Sequence, residues 1–457
     1  MEKIFFFSLL LLIIFKKLSS RNITKIPFKF YPTNIFFPNQ IHPLANRYMS
    51  QIAIELSIGT PPQKLNLTLI LNQFHSLFLN NEFPDIEYTS IFNKSSSSTY
   101  NCTTRKKYYI YEDFGEAEIF KDHVNISENE NLDFNFLLIY ELAYGVPNEF
   151  YSSGIIGLRM NNENSYNLLD ENRFLYQIKN YNLSRTEVFY FDFDNEKNDD
   201  NYTENGYFVI GEDLFDDVEN FLQIKAGYMY FPNLAVEWAF NFDAVYFGKS
   251  LVKEQSDALI KTENGLIVGP TYYENIIKEF FKNTTKCFSN YIKMGYATYR
   301  YYYCHLDFDE NIMEDLIFEL NSINYSFILN GTDLFFQENG LKYFKILFLY
   351  YSSNNIWYLG RNFLQKYKLR FDSDRKLIYI PLNKNKEEIP VPNKEKELLF
   401  YEKDIFWITI GLGILAIGLI IFIIFCLKKY PRKKRANEIE DDGDYEYKKA
   451  EEKEGIN

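Results

Sequence analysis

Short apolar runs alternate with short polar clusters over most of this chain. Between residues 48 and 380, apolar and aromatic runs of about four to eight residues are separated by clusters of Asn, Asp, Ser, Gly and Pro, which is typical of short β-strands joined by turns. Helical spacing is clearest at 274–282, after Gly269 and Pro270, and at 362–366. The pattern predicts a mainly β fold.

Two long apolar segments lie outside this pattern. Residues 1–20 have a short charged start, an apolar run and a small polar end, as in a secretory signal peptide. The alternative is an uncleaved anchor, because Lys16 and Lys17 follow the apolar run. Residues 405–427 carry no charge and can cross a hydrocarbon core of about 30 Å. The basic run after them predicts a cytoplasmic tail, so the amino-terminal part is lumenal or extracellular.

Composition narrows the classes of function. Aromatic residues make up 19% of the chain, which favours strands, although codon bias explains such an excess equally well. The net charge is −13, so the surface repels phosphate backbones and we expect no nucleic-acid partner. The histidines, namely His42, His75, His123 and His305, do not have the spacing of a metal site, and we expect neither a metal nor a cofactor.

The cysteines and sequons fit a secreted segment. Cys426 lies in the predicted membrane span. Cys287 and Cys304 are separated by 16 residues in an oxidising compartment, so they are the economical disulfide pair, and Cys102 is left as a buried or sugar-shielded thiol. We predict glycosylation at Asn22, Asn93, Asn101, Asn125, Asn182, Asn201, Asn283, Asn324 and Asn330, which are Asn-x-Ser/Thr sequons. Asn66 is also in a sequon, but it falls inside a predicted strand and is the least suitable.

Several motifs occur in the order found in pepsin-like aspartic peptidases. They are IGTPPQ (58–63), FNKSSSSTY (92–100), YEDFGEAEI (111–119), GIIGL (154–158), GYFVIGED (206–213), EWAFNFDAVYFG (237–248), ALIKTENGLIVGP (258–270) and WYLGRNFLQKYKLRFDSDRKLIYI (357–380). Residues 49–382 therefore resemble that family. The resemblance implies a bilobal β fold, with Tyr111 at the position of the flap tyrosine.

The resemblance also locates the two catalytic loops. Each family loop supplies one aspartate from an Asp-Thr/Ser-Gly motif, and the two carboxylates share a proton. We align Asn72, Gln73 and Phe74 with the first motif, and Lys261, Thr262 and Glu263 with the second. Neither Asn nor Lys can replace a dyad aspartate, so the alignment predicts an inactive homologue.

Seven parts follow from the motifs and segments. They are a signal peptide (1–20), a propeptide-like segment (21–47), an N-terminal lobe (48–228), a C-terminal lobe (229–382), a stalk (383–404), a transmembrane helix (405–427) and a disordered cytoplasmic tail (428–457). We expect a glycoprotein of the secretory pathway or cell surface. A peptide or protein ligand could occupy the interlobe cleft, lined by Tyr111, Gln73, Phe74, Thr262 and Glu263. The alternatives are neutral loss of the dyad, an aspartic endopeptidase, and a structural surface glycoprotein.

Overall fold

The computed structural model describes fourteen stretches of the chain. They are residues 23–31, 42–73, 75–79, 91–102, 106–110, 113–126, 131–142, 152–160, 172–193, 205–211, 220–227, 237–294, 297–351 and 353–382. The chain divides into two compact units, Met1–Glu388 and Ile389–Asn457, and every described residue belongs to the first. The predicted signal peptide, stalk, membrane helix and tail lie outside the described residues. Within those residues no helix is long and apolar enough to cross a membrane.

Strands dominate the described part of the chain. They are β1 (Thr24–Tyr31), β2 (Gln51–Ile58), β3 (Gln63–Ile70), β4 (Leu77–Leu79), β5 (Asn101–Cys102), β6 (Lys106–Ile110), β7 (Asp113–Asn125), β8 (Asn131–Leu142), β9 (Gly154–Gly157), β10 (Val188–Phe193), β11 (Asn205–Ile210), β12 (Phe221–Lys225), β13 (Ala239–Phe247), β14 (Ser250–Ile260), β15 (Ile267–Gly269), β16 (Cys287–Met294), β17 (Ala297–His305), β18 (Leu316–Leu320), β19 (Tyr325–Leu329), β20 (Phe335–Glu338), β21 (Leu341–Phe344), β22 (Ile346–Leu349), β23 (Trp357–Leu359), β24 (Arg370–Asp372) and β25 (Leu377–Pro381).

The α-helices in the described residues are short. They are α1 (Pro43–Met49), α2 (Phe174–Asn180), α3 (Thr271–Lys282), α4 (Gly331–Leu334) and α5 (Arg361–Tyr367). In α3, Tyr273, Ile277 and Phe281 repeat every four residues and bury one face of the helix. The two predicted helices both exist. Helix α3 starts earlier than predicted, directly after Pro270, and α5 extends one residue beyond the prediction at each end.

Two sheets form the framework and confirm the mainly β, bilobal expectation. The first has fourteen strands, ordered β12-β25-β24-β10-β11-β1-β2-β3-β9-β4-β8-β7-β5 with β6 on β7. The second has eleven strands, ordered β19-β18-β13-β14-β23-β15-β22-β17-β21-β20 with β16 on β17.

The sheets do not divide the chain at residue 228. Strands β24 and β25, from the end of the predicted C-terminal lobe, join the first sheet by pairing with β10 and β12. Strand β1, from the propeptide-like segment, lies in the same sheet between β11 and β2. Strand pairing between distant segments produces both arrangements, and local sequence patterns do not report it.

One apolar core runs through both lobes. Trp238 and Trp357 are fully buried, and the Trp238 indole donates a 2.9 Å hydrogen bond to the carbonyl oxygen of Leu158. Replacing a buried Trp or Phe by Ala generally costs about 3–5 kcal/mol. This shared core holds the two loops that follow β3 and β14 in fixed positions.

Two of the sequence motifs contact each other at the turn between β2 and β3. Gly59 of IGTPPQ has a φ of +89°, and a Cβ there would lie 2.8 Å from the Ser97 hydroxyl. Ser98 of FNKSSSSTY donates its backbone N–H to Thr60 at 2.8 Å. Glycine is required at 59 both for the left-handed backbone and for this close approach.

Candidate functional site: the interlobe loops

The two lobes meet at the ends of β3 and β14, and parallel pairing fixes which residues are equivalent. Ile70 lies opposite Gly157 of β9, and Leu158 donates its N–H to the Ile70 oxygen at 2.9 Å. In the other lobe, Ile260 lies opposite Leu359 of β23, and the Lys261 N–H bonds to Leu359 at 3.0 Å. Continuing this register by one residue sets Lys261 opposite Gly360, as Ile70 is opposite Gly157. Ile70 and Lys261 therefore occupy equivalent positions in the two lobes.

Each of the two loops sends a polar side chain to the backbone of the opposite lobe. The Thr262 hydroxyl donates to the Leu69 oxygen at 2.7 Å and accepts from the Leu71 N–H at 3.3 Å, so it brackets Ile70. In return, the Asn72 amide donates to the Ile260 oxygen at 3.0 Å, next to Lys261. These crossed bonds lock the two loops together.

This geometry corrects the alignment of the first loop. Asn72 was expected at the aspartate position, but Ile70, Leu71 and Asn72 are the residues equivalent to Lys261, Thr262 and Glu263. The expected alignment needs two additional residues ahead of the loop. Strands β2 and β3 pair without a bulge from Ile58–Gln63 to Ala53–Thr68, so β3 has no room for them. Asn72 binds the opposite lobe and does not stand in for a dyad carboxylate.

The equivalent residues differ in chemistry. Ile70 is apolar and only 2% exposed. Lys261 keeps 28% of its side-chain surface exposed and forms an ion pair with Glu263, whose side chain is 10% exposed, at an Nζ–Oε1 distance of 3.1 Å. The Lys261 ammonium also lies 5.5 Å from the centroid of the Tyr358 ring.

Two buried acceptor atoms at this junction have no hydrogen-bond partner among the described residues. They are Oε2 of Glu263 and Oδ1 of Asn72. A buried polar atom without a partner costs about 1–3 kcal/mol. These two oxygens can therefore accept hydrogen bonds that the described residues do not supply.

Helix α1 packs against the second loop. The Gly265 N–H donates to the Tyr48 oxygen at 2.8 Å, and a Cβ on Gly265 would lie 1.6 Å from the Arg47 oxygen. Arg361 donates to the Arg47 oxygen at 3.0 Å and packs its guanidinium over the Phe30 ring of β1 at 4.4 Å. The segment predicted to resemble a propeptide thus contacts the loop that carries Lys261 and Glu263.

The first loop continues into buried polar residues. Gln73 is buried and accepts a backbone hydrogen bond from Arg159 at 3.0 Å. His75 is also buried, and desolvation lowers its pKa to about 4. This histidine is therefore neutral at neutral pH. Phe74 and the proposed flap residue Tyr111 lie outside the described residues, as do the sequons at Asn22 and Asn201.

Other predicted residues lie elsewhere. The Cys287–Cys304 disulfide is confirmed, and it joins neighbouring strands β16 and β17. Cys102 is unbonded and exposed, so the buried alternative is wrong, while shielding by a sugar on Asn101 stays a prediction. Asn66 is half-buried within β3. No group of three or more metal-ligating side chains occurs in the described ranges.

Comparison with known proteins agrees with this architecture. The model of the family described as "Asp: Eukaryotic aspartyl protease" matches residues 51–381, which is most of the chain. The chain belongs to the eukaryotic aspartyl protease family. A search of curated proteins finds no match. In this family member, the sequence motifs alone did not reveal that Ile70 is equivalent to Lys261. The pairing of β3 with β9 and of β14 with β23 was needed to show it. The motifs also did not reveal that Tyr358 lies beside the Lys261 ammonium.

Proposed function

We propose that this protein is a non-catalytic member of its family that binds a peptide or protein ligand between its lobes. One observation carries the proposal, namely that the two equivalent loop positions hold Ile70 and Lys261. The family reaction needs two neighbouring carboxylates, one acting as base on a water and the other as acid on the substrate carbonyl. Isoleucine has no ionisable group and lysine is a cation, so this dyad cannot form from them.

Glu263 does not replace the missing pair. It stands two residues beyond the aspartate position, and one of its oxygens already binds Lys261 at 3.1 Å. A single carboxylate in an ion pair has no second carboxylate with which to share a proton. This arrangement supports binding over peptide hydrolysis.

A peptidase assay tests the proposal. The full-length chain is incubated with unfolded protein substrates from pH 2 to 7, with and without a transition-state-mimicking aspartic-peptidase inhibitor. We expect no cleavage that the inhibitor suppresses. Inhibitor-sensitive turnover would establish the second candidate, an aspartic endopeptidase, which membership of the family favours.

A third candidate is a structural surface glycoprotein without a ligand. It differs from the binding protein in one measurable property, because its interlobe junction should not retain peptides. Immobilised full-length protein exposed to a peptide library separates the two. Retention that disappears when the loops are altered supports binding, and absence of retention supports the structural candidate.

The proposal includes the cellular setting. Residues 405–427 form the membrane anchor, residues 21–404 face the lumen or the exterior, and 428–457 face the cytoplasm. Resistance to alkaline extraction tests the anchor, and the accessibility of a carboxyl-terminal tag to protease in sealed vesicles tests its orientation. A mobility shift after endoglycosidase treatment tests glycosylation. Complete extraction at alkaline pH contradicts the membrane anchor. Unchanged mobility after endoglycosidase treatment contradicts glycosylation.

A further inference from the structure

The Lys261 ammonium lies close to both a carboxylate and an aromatic ring. Its Nζ is 3.1 Å from Oε1 of Glu263 and 5.5 Å from the centroid of Tyr358. A charge-assisted hydrogen bond and the face of an aromatic ring together are a common way for proteins to bind an ammonium group. Glu263 and Tyr358 therefore have the chemistry of a cation site, and Lys261 occupies it from within the chain.

The buried acceptor atoms near Lys261 indicate the kind of ligand that this site accepts. Oε2 of Glu263 and Oδ1 of Asn72 are both acceptors, and both lack a donor among the described residues. An ammonium group brings three donors and a positive charge. A ligand carboxylate would bring only further acceptors and negative charge beside Glu263. The junction is thus suited to a cationic group rather than to the carboxylate that Lys261 alone would attract.

Lys261 is the more exposed partner of the pair. Its side chain is 28% exposed, whereas that of Glu263 is 10% exposed. The loop that carries Glu263 is held on both sides, by the Thr262 bonds to the first lobe and by Gly265 against α1. A lysine ammonium on its flexible four-carbon stem can leave while the carboxylate keeps its place.

We propose that Glu263 and Tyr358 form a cation-binding subsite, occupied by Lys261 in the unliganded chain, which takes the ammonium of a peptide ligand by displacing Lys261. The ammonium comes from a lysine side chain or from a free amino terminus. The inference rests on the proposed binding function and specifies its ligand. The net charge of −13 favours the approach of basic peptides.

Matched peptides test the inference on the full-length chain. Eight-residue peptides with blocked termini differ only at a central Lys, norleucine or Glu, and a fourth peptide combines central norleucine with a free amino terminus. Binding is measured by calorimetry at low and at high salt. We expect the Lys or free-amine peptide to bind about tenfold tighter than the blocked norleucine peptide, with the difference shrinking in high salt. The two ammonium-bearing peptides distinguish the two sources.

Variants give effects of opposite sign for the two possible roles of Lys261. If Lys261 is an internal competitor, Lys261→Met tightens binding of the ammonium peptide about tenfold, and Glu263→Gln removes the preference for it. If Lys261 instead captures a carboxylate, the Glu peptide binds best and Lys261→Met weakens it, which overturns the inference. Lys261→Met leaves Glu263 without its cation, so Lys261→Gln, which keeps a donor, is the second variant if the first fails to fold. It too should tighten ammonium binding.

The outcomes separate this inference from the function on which it rests. Wild-type protein that binds none of the four peptides, and none from the library, contradicts the binding function itself. Wild-type protein that binds peptides without preferring an ammonium contradicts only the inference. Tyr358→Leu should weaken the ammonium peptide several-fold, whereas Tyr358→Phe, which keeps the ring, should not.

Discussion

The Thr262 hydroxyl lies 2.7 Å from the carbonyl oxygen of Leu69, in the opposite lobe. Thr262 is fully buried, and its hydroxyl oxygen accepts a hydrogen bond from the Leu71 N–H at 3.3 Å. Asn72 returns a bond to Ile260 at 3.0 Å. The lobes are therefore joined by side chains that touch the backbone beside Ile70 and Lys261, where the family carries its aspartates. The connection is present with isoleucine and lysine at these two positions.

Removing the Thr262 hydroxyl should loosen this connection. Thr262→Val keeps the size of the side chain but leaves the Leu69 oxygen and the Leu71 N–H buried without partners, so we expect a loss of about 1–3 kcal/mol in the free energy of unfolding. Urea denaturation measures it. Thr284→Val is the control, because its hydroxyl bonds locally to Phe280 within one helix end. An equal loss in both variants would show that the interlobe bonds have no special weight.

Restoring two aspartates should not restore peptidase activity. Asn72→Asp with Lys261→Asp fails because residue 72 is not at the equivalent position. Ile70→Asp with Lys261→Asp corrects the position but leaves Asn72 and Glu263 where the family has glycines, and Glu263 adds a third carboxylate that disturbs proton sharing. A misplacement of about 1 Å can lower a rate about a hundredfold.

Activity should require all four changes, with Asn72→Gly and Glu263→Gly added to Ile70→Asp and Lys261→Asp. Cleavage of a fluorogenic peptide at acidic pH, with and without inhibitor, measures it. Substantial activity in the variant that carries only Asn72→Asp and Lys261→Asp would refute the strand-based equivalence of Ile70 and Lys261.

Burial of His75 should make stability depend on pH. Desolvation lowers its pKa to about 4, from about 6.5 in the unfolded chain. Between these pH values the unfolded chain binds a proton at His75 that the folded chain does not bind. The contribution of neutral His75 to the free energy of unfolding is therefore fully present above about pH 6.5 and is lost as the pH falls toward 4. By linkage the loss is on the order of 3 kcal/mol. The free energy of unfolding, measured at a series of pH values from 7 to 4, should fall more steeply with decreasing pH in the wild type than in His75→Gln. His305→Gln, the same substitution at an exposed position, is the control.

The Cys287–Cys304 disulfide should stabilise the second lobe. It closes a short loop between adjacent strands, and its removal by Cys287→Ala with Cys304→Ala should lower the free energy of unfolding by about 2–4 kcal/mol. Cys102→Ala should change stability little, because Cys102 is exposed and unbonded. Peptide mapping without reductant accompanies the denaturation curves. A mapped bond from Cys102 to either partner would contradict this assignment.

The linear pattern predicted the class of fold and much of the site. The spacing of apolar runs predicted strands because a strand with one buried face must alternate, and the motif around 258–270 placed Lys261, Thr262 and Glu263 at one loop. The positions of the cysteines along the chain predicted the disulfide between Cys287 and Cys304. Each of these depends on residues close together in sequence or on a motif with little freedom of alignment.

The sequence by itself determined that this chain is a bilobal β protein of the aspartyl protease family, because alternation and motif order are properties of the linear chain. Tertiary structure alone decided that Ile70, and not Asn72, is the counterpart of Lys261, that Asn72 binds Ile260, and that Tyr358 lies beside the Lys261 ammonium. It also placed β1 and β25 in the first sheet. The physical reason is that strand register and interlobe contacts join residues far apart along the chain, and shifting an alignment by two residues preserves the alternation of faces that the sequence reports.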